Sequence, residues 1–137
     1  MAHVTRSLEL AASPEDVWGL IGGFQALPDW HPAVQGSAQE MQDGAELRRL
    51  DLGGGAEILE KSLGGDGMSY GYEILEVGPL PIANYRATIG VAPCAKGCMV
   101  TWSSNFDAAG APEPDAKGAV SGIYEAGFAA LTEKFGG

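Results

Sequence analysis

Apolar and polar positions alternate over residues 3–11. Val4, Leu8 and Leu10 share one face with Arg6, while His3, Thr5, Ser7 and Glu9 share the other. A period of two marks a half-buried strand. Ser13-Pro14-Glu15-Asp16 then opens a helix. Serine suits the N-cap, proline the first helical position, and the acids complement the positive end of the helix dipole. Val17, Trp18, Leu20, Ile21 and Phe24 follow at helical spacing, and Gly22-Gly23 weakens the end. Leu27 to Pro32 reads as a turn or a second short helix. Pro32 disfavours a helical His31.

From residue 35 onward turn signals recur at even intervals: Asp43-Gly44, Gly53-Gly54-Gly55, Gly64 to Gly67, Gly78 to Pro81, and Pro93 to Gly97. Between them the pattern predicts strands near 35–42, 45–52, 56–63, 67–77, 83–92 and 98–107. Such spacing is that of successive antiparallel hairpins. Ala108 to Pro114 reads as a loop. Val120, Ile123, Tyr124, Gly127, Phe128, Leu131 and Phe135 then recur at steps of three and four. That is an amphipathic helix of about twenty residues with a broad apolar face. The class is α+β: a curved seven-stranded antiparallel sheet wrapped around a long C-terminal helix, with two short helices after the first strand. A long meander curls rather than staying flat, and the last helix is the natural filling for its concave face.

Composition narrows the picture. The 137 residues suit a single domain spanning 1–137. The net charge of −10 repels phosphate backbones and anionic membranes, so nucleic-acid binding is not expected. No apolar run is long enough for a membrane span, and the N-terminus has no secretory pattern, so a cytoplasmic protein is expected. The two cysteines, Cys94 and Cys98, read as free thiols near a tight turn or as a local disulfide. With only His3 and His31 beside them, no metal site is expected, and no cofactor either. Gly53-Gly54-Gly55 follows a strand but leads to another strand, not a helix, so it is no phosphate cradle.

Period-two bookkeeping brings candidate chemistry together. A three-residue loop at Gly53-Gly54-Gly55 would set Leu52 opposite Ala56, Leu50 opposite Ile58 and Arg48 opposite Glu60. The charges then form a cross-strand pair on an apolar face. Two readings stand open. The pair is an internal polar spot that orients a ligand group, or an ion pair at the rim that fixes register. Tyr70, Tyr72 and Ile74 share a face, as do Tyr85, Ala87, Ile89 and Val91, and Val100, Trp102, Ser104 and Phe106. Tyr124 on the last helix can join them. These aromatics are core, and Tyr70, Tyr72, Tyr85, Trp102 and Tyr124 are also candidates to line a pocket through their polar tips. His31 is a candidate general base or a loop histidine that holds its turn. Arg6 is a strand-end arginine reaching solvent or a member of the internal cluster.

Several stretches carry a resemblance: Ser13-Pro14-Glu15-Asp16-Val17-Trp18, Trp30-His31-Pro32, Leu47-Arg48-Arg49-Leu50 with Glu60, and Tyr70-Gly71-Tyr72 with Ile74. Gly78-Pro79-Leu80-Pro81 to Tyr85, Val100-Thr101-Trp102 to Phe106, and Tyr124-Glu125-Ala126-Gly127 extend it over nearly the whole chain. The chain resembles the SRPBCC superfamily, which includes START lipid-transfer domains and the birch-pollen-allergen family. The specific likeness is to its bacterial polyketide cyclase/dehydrase-like branch. The cysteines of the Pro93–Cys98 turn depart from that pattern. The resemblance implies the helix-grip fold and an internal cavity, with Trp30 and His31 at its mouth. It implies a hydrophobic or aromatic small-molecule ligand, bound by Trp30 and the aromatics above. If the protein is an enzyme of the cyclase, aromatase or dehydratase type, Arg48, Glu60 and His31 are the catalytic candidates. Three functions stand open: a carrier, such an enzyme, or an interaction protein whose pocket is filled. Monomer and homodimer are both compatible.

Overall fold

Ser13 caps the first helix as its sequence predicts: its hydroxyl accepts the Asp16 N–H at 3.1 Å, and Pro14 occupies the first turn. In the computed structural model, which describes residues 1–136, strand β1 (Ala2–Leu10) leads into α1 (Pro14–Ile21) and the single turn α2 (Leu27–Trp30). His31 leaves that turn extended, as the following proline requires. Six strands follow: β2 (Gly36–Gln42), β3 (Ala45–Gly53), β4 (Ala56–Gly65), β5 (Ser69–Glu76), β6 (Ile82–Cys94) and β7 (Gly97–Ala108). The chain ends in α3 (Glu113–Phe135). This helix starts within the stretch that reads as a loop: Pro112 takes the cap position and Glu113 and Asp115 occupy the first turn. Proline and acids favour a helix start even where the apolar period has not begun.

All neighbours in the sheet are antiparallel, in the order β1-β7-β6-β5-β4-β3-β2. The sheet is not closed, and β1 and β2 are its edges. The architecture is the expected α+β helix grip. Its core lies between the concave face and α3, where Leu10, Ile89, Val100, Phe106, Val120 and Leu131 are all but sealed from solvent.

One register detail differs from expectation. Leu52 does not face Ala56. Gly53 does, and a two-residue turn, Gly54-Gly55, closes the hairpin. Both turn residues have positive φ (62° and 84°), the geometry that matches strand twist and that glycine adopts freely. Gly53, at φ 87°, forms a bulge that absorbs the extra residue on β3. Beyond it the register is as expected: Leu50 opposite Ile58 and Arg48 opposite Glu60.

Cys94 and Cys98 are free thiols on the β6–β7 hairpin. Among the described residues no helix is long and apolar enough to cross a membrane, and no group of histidine, cysteine and acidic side chains is placed to hold a metal.

Candidate functional site

Helix α3 divides the concave face into two parts. At Gly127 it lies directly on aromatic rings. A Cβ there would come within 2.9 Å of both His31 Cδ2 and Trp30 Cζ3. One turn earlier Tyr124 stacks on Trp102, with ring centroids 4.3 Å apart and planes 18° apart. This part of the face is filled. Towards the start of α3, at Val120 and Ile123, the helix stands off the sheet and leaves a partly enclosed cavity of about 220 Å³. Its floor is Leu50, Leu52, Ile58 and Ile74 from the sheet, and its sides are Leu27, Val34, Leu80 and Ile82. The polar side chains on its wall are Glu60, Tyr72, Tyr85, His31 and Trp102.

Glu60 is held from behind by Arg48. Nε of Arg48 donates to Oε1 of Glu60 at 2.7 Å. Nη1 donates to the Phe24 carbonyl at 2.8 Å and to the Tyr70 hydroxyl at 3.1 Å. The guanidinium carbon sits 4.2 Å from the Phe24 ring centre and 4.9 Å from that of Tyr72. Arg48 is almost completely sealed from solvent. Burial of Glu60 lifts its carboxyl above the usual carboxylate range, and the Arg48 charge draws it back. Burial also works against the Arg48 charge, yet Glu60 and the two tyrosines outweigh it and leave the guanidinium more firmly protonated than usual. The pair is therefore charged at neutral pH, since a neutral Glu60 would leave a buried cation unmatched.

The aromatic tips form a chain. The Trp102 indole N–H donates to the Tyr72 hydroxyl at 3.0 Å. Tyr72 and Tyr85 share a hydrogen bond at 3.1 Å, and Tyr85 bonds in turn to Tyr124. Burial is the main cause that pushes all three phenols up: Tyr72 and Tyr85 well above their ordinary value, and Tyr124 to about 12. The hydroxyls are thus neutral donors and acceptors, not phenolates.

His31 reaches the cavity wall with both ring nitrogens already occupied. Nε2 donates to the Ile123 carbonyl at 2.8 Å, and Nδ1 accepts the Ala33 N–H at 3.1 Å. That pairing sets the tautomer. Burial pulls the ring below its usual pKa and keeps it neutral. The histidine ties α2 to α3.

The structure brings Glu60, His31, Tyr72, Tyr85 and Trp102 to one cavity. Arg48 and Tyr70 stand one layer behind Glu60, Tyr124 lies behind Tyr85, and Trp30 packs beneath Gly127. Trp30 Nε1 is buried without a hydrogen-bond partner. Arg6 is outside the cluster: it is exposed and lies 3.5 Å from Glu125 on α3. The aliphatic half of the wall, from Leu27, Leu80, Ile82, Val120 and Ile123, is not marked as a site by the sequence. Its only signal there is the apolar half of each periodic pattern. Bulges also aim the polar groups. The β4–β5 register shifts between Leu59 and Glu60, and the β6–β7 register shifts between Ala83 and Arg86, around Tyr85.

Comparison with known proteins agrees with this architecture. The structure of the protein XoxI from Bacillus cereus is 36% identical, with a TM-score of 0.90 over 98% of this chain and 96% of that one. A START superfamily protein from Mycobacterium smegmatis shares the fold at 18% identity, with a TM-score of 0.79 over 97% of this chain and 96% of that one. The Zhui aromatase/cyclase from a Streptomyces species shares it at 16% identity, with a TM-score of 0.70 over 96% and 89% of the two chains. No curated protein matches the chain. The model of the family described as polyketide cyclase/dehydrase and lipid transport matches residues 1–136, and the chain belongs to that family.

Proposed function

We propose that the protein binds a small apolar molecule, with an aromatic ring or rings, in the cavity between α3 and the sheet. The observation that carries this reading is the cavity itself: about 220 Å³ enclosed by a mostly apolar wall, on which Glu60 is the single carboxylate beside Tyr72, Tyr85, His31 and Trp102. Ligand sites have that character, mostly apolar with a few placed polar groups. The family and the fold neighbours support it. An interaction protein with a filled pocket fits less well, because the filling stops at Tyr124. Native mass spectrometry of freshly purified protein, followed by denaturation and extraction, tests the reading. A bound aromatic compound supports it. A clean apo mass, with no thermal shift across single-ring and two-ring aromatics, overturns it.

One observation favours a second reading, catalysis of proton transfer during cyclisation or dehydration. Glu60 is a carboxylate whose pKa burial raises, and it stands on the cavity wall. A base of that kind is suited to enolisation. Arg48 then positions Glu60 and does not touch the ligand. His31 is assigned to holding α2 on α3, because a proton on Nδ1 would break its bond from Ala33. Turnover that Glu60→Gln abolishes while binding persists would support catalysis, and turnover unchanged in that variant would remove Glu60 from it.

A further inference from the structure

The two oxygens of Glu60 have different fates. Oε1 accepts from Arg48, while Oε2 has no hydrogen-bond partner among the described residues. Nor is Oε2 one of the sealed polar atoms: among the described residues the unpartnered buried side-chain atoms are Trp30 Nε1 and Ser104 Oγ. The Glu60 side chain keeps 7% of its surface accessible, and it lies on the cavity wall. A charged acceptor therefore faces an apolar space with nothing donating to it.

The donors nearby are already committed. Arg48 is not on the cavity wall, and its Nε and Nη1 are taken by Glu60, the Phe24 carbonyl and the Tyr70 hydroxyl. The Trp102 N–H goes to Tyr72, and the His31 N–H goes to Ile123. Two of the three phenol protons in the Tyr72–Tyr85–Tyr124 chain are used within it. The cavity thus offers a ligand a carboxylate and at most one hydroxyl proton. A carboxylate ligand would meet like charge in a low-dielectric setting, which is costly, whereas a hydroxyl would make a charge-assisted hydrogen bond. Size adds a second limit. An apolar cavity of roughly 150 Å³ holds benzene. About 220 Å³ takes one ring with a short chain, or two fused rings.

We propose that the cavity selects a neutral one- or two-ring molecule whose hydroxyl donates to the free oxygen of Glu60, and that it turns away carboxylates of the same size. This rests on the ligand-binding reading above and adds the ligand's polarity to it. The ligand is a phenol or enol, not a fatty or aromatic acid.

Calorimetric titration of the wild-type protein at neutral pH with four matched probes tests this: 4-propylphenol, 4-propylanisole, propylbenzene and 4-propylbenzoate. The Trp102 indole N–H resonance reports whether a probe sits in the cavity. The phenol is expected to bind about tenfold or more tighter than the ether and the hydrocarbon, since only it donates to a charged group. The benzoate is expected to give no measurable binding. If the ether, the hydrocarbon or the benzoate matches the phenol, the selection is overturned while ligand binding stands. If none of the four binds, both are overturned. In folded Glu60→Gln protein the phenol advantage is expected to fall several-fold. The wild-type series decides the matter even if that variant does not fold.

Discussion

Arg48 and Arg49 are neighbours on β3, and the pleat sends them to opposite faces of the sheet. Arg48 points inward, fully buried, with one carboxylate at 2.7 Å. Arg49 points outward among three, Glu40 at 2.6 Å, Glu76 at 3.4 Å and Glu57 at 3.6 Å. Counting partners would rank Arg49 as the more important residue. The physics reverses the ranking. Arg49 and its partners stay partly hydrated even when paired, so the network is expected to contribute little to stability. A buried charge has no such fallback, and its single partner is indispensable. The comparison extends to the whole molecule: what faces α3 is over-determined, and what faces solvent is replaceable.

The sharpest way to break the comparison is to remove one half of the inner pair. Arg48→Ala is expected to lower stability by about 3–5 kcal/mol, because Glu60 is left as an unmatched buried charge. Glu60→Ala is expected to do the same from the other side. Replacing both together, Arg48→Met with Glu60→Leu, is expected to restore most or all of the loss. Denaturant unfolding of the four proteins checks this. A double mutant as weak as the singles would show that the pair contributes more than its burial requires.

The inner face also carries all four tyrosines of the chain, Tyr70, Tyr72, Tyr85 and Tyr124, each buried. Burial raises Tyr124 to about 12 and lifts Tyr72 and Tyr85 well above their ordinary value. An unfolded tyrosine titrates near 10, roughly two units lower than Tyr124, and each unit is about 1.4 kcal/mol. As pH rises above about 10 the unfolded chain loses protons that the folded chain keeps, so stability falls with rising pH. By about pH 12 Tyr124 alone is expected to have removed most of roughly 2.7 kcal/mol. Tyr124→Phe should make the alkaline slope shallower. Denaturation midpoints between pH 9 and 12 measure it, and identical slopes in the two proteins would place the loss elsewhere.

Much of this inner face was legible in the sequence, for one reason: alternation assigns sides. Period two placed Arg48 opposite Glu60 and gathered Tyr72, Tyr85 and Trp102 with their aliphatic neighbours. What alternation cannot see is a shift in its own phase. The bulges beside Glu60 and Tyr85 add a residue without any change in residue type. Nor does the pattern give the third dimension. Arg48, Tyr70 and Tyr124 lie on the correct side but one layer behind the cavity, and that depth depends on how closely α3 approaches. In the sequence, the small residues Gly127 and Ala130 are compatible with a close or a displaced helix. Only the rings of Trp30 and His31 packed against Gly127 show that the approach is close.

Helix α3 offers the same contrast in glycines. Gly127 faces inward, and an added Cβ would lie 2.9 Å from His31 Cδ2 and Trp30 Cζ3 and 3.3 Å from Trp102 Cζ3. His31 cannot yield without breaking its two backbone hydrogen bonds. Gly127→Ala is therefore expected to destabilise by about 1–3 kcal/mol, the usual consequence of overpacking. Gly118 and Gly122 are exposed, and an added Cβ there meets nothing within 4 Å. Gly118→Ala and Gly122→Ala are expected to stabilise by about 0.5–1 kcal/mol each through helix propensity. Thermal unfolding separates the cases by sign. A neutral Gly127→Ala would mean that α3 can lift off the sheet, and the cavity should then enlarge.

The smallest effect belongs to Arg49, and it sharpens the opening contrast most. Hydrogen bonding to Arg49 holds the Glu40 carboxyl below its usual range. In Arg49→Ala that carboxyl should return upward, a change visible in an NMR titration of Glu40. Tm should stay essentially unchanged, because both groups stay hydrated with or without each other. Added salt should weaken the wild-type shift of Glu40 in the same direction, since exposed charges are screened. The interaction would then be plainly present by titration and nearly absent from stability. For Arg48 the opposite holds, because the guanidinium itself is almost sealed from solvent that could take its partner's place. A large loss of Tm in Arg49→Ala would show that the convex face is coupled to the core through β3, and that the pleat does not insulate one face from the other.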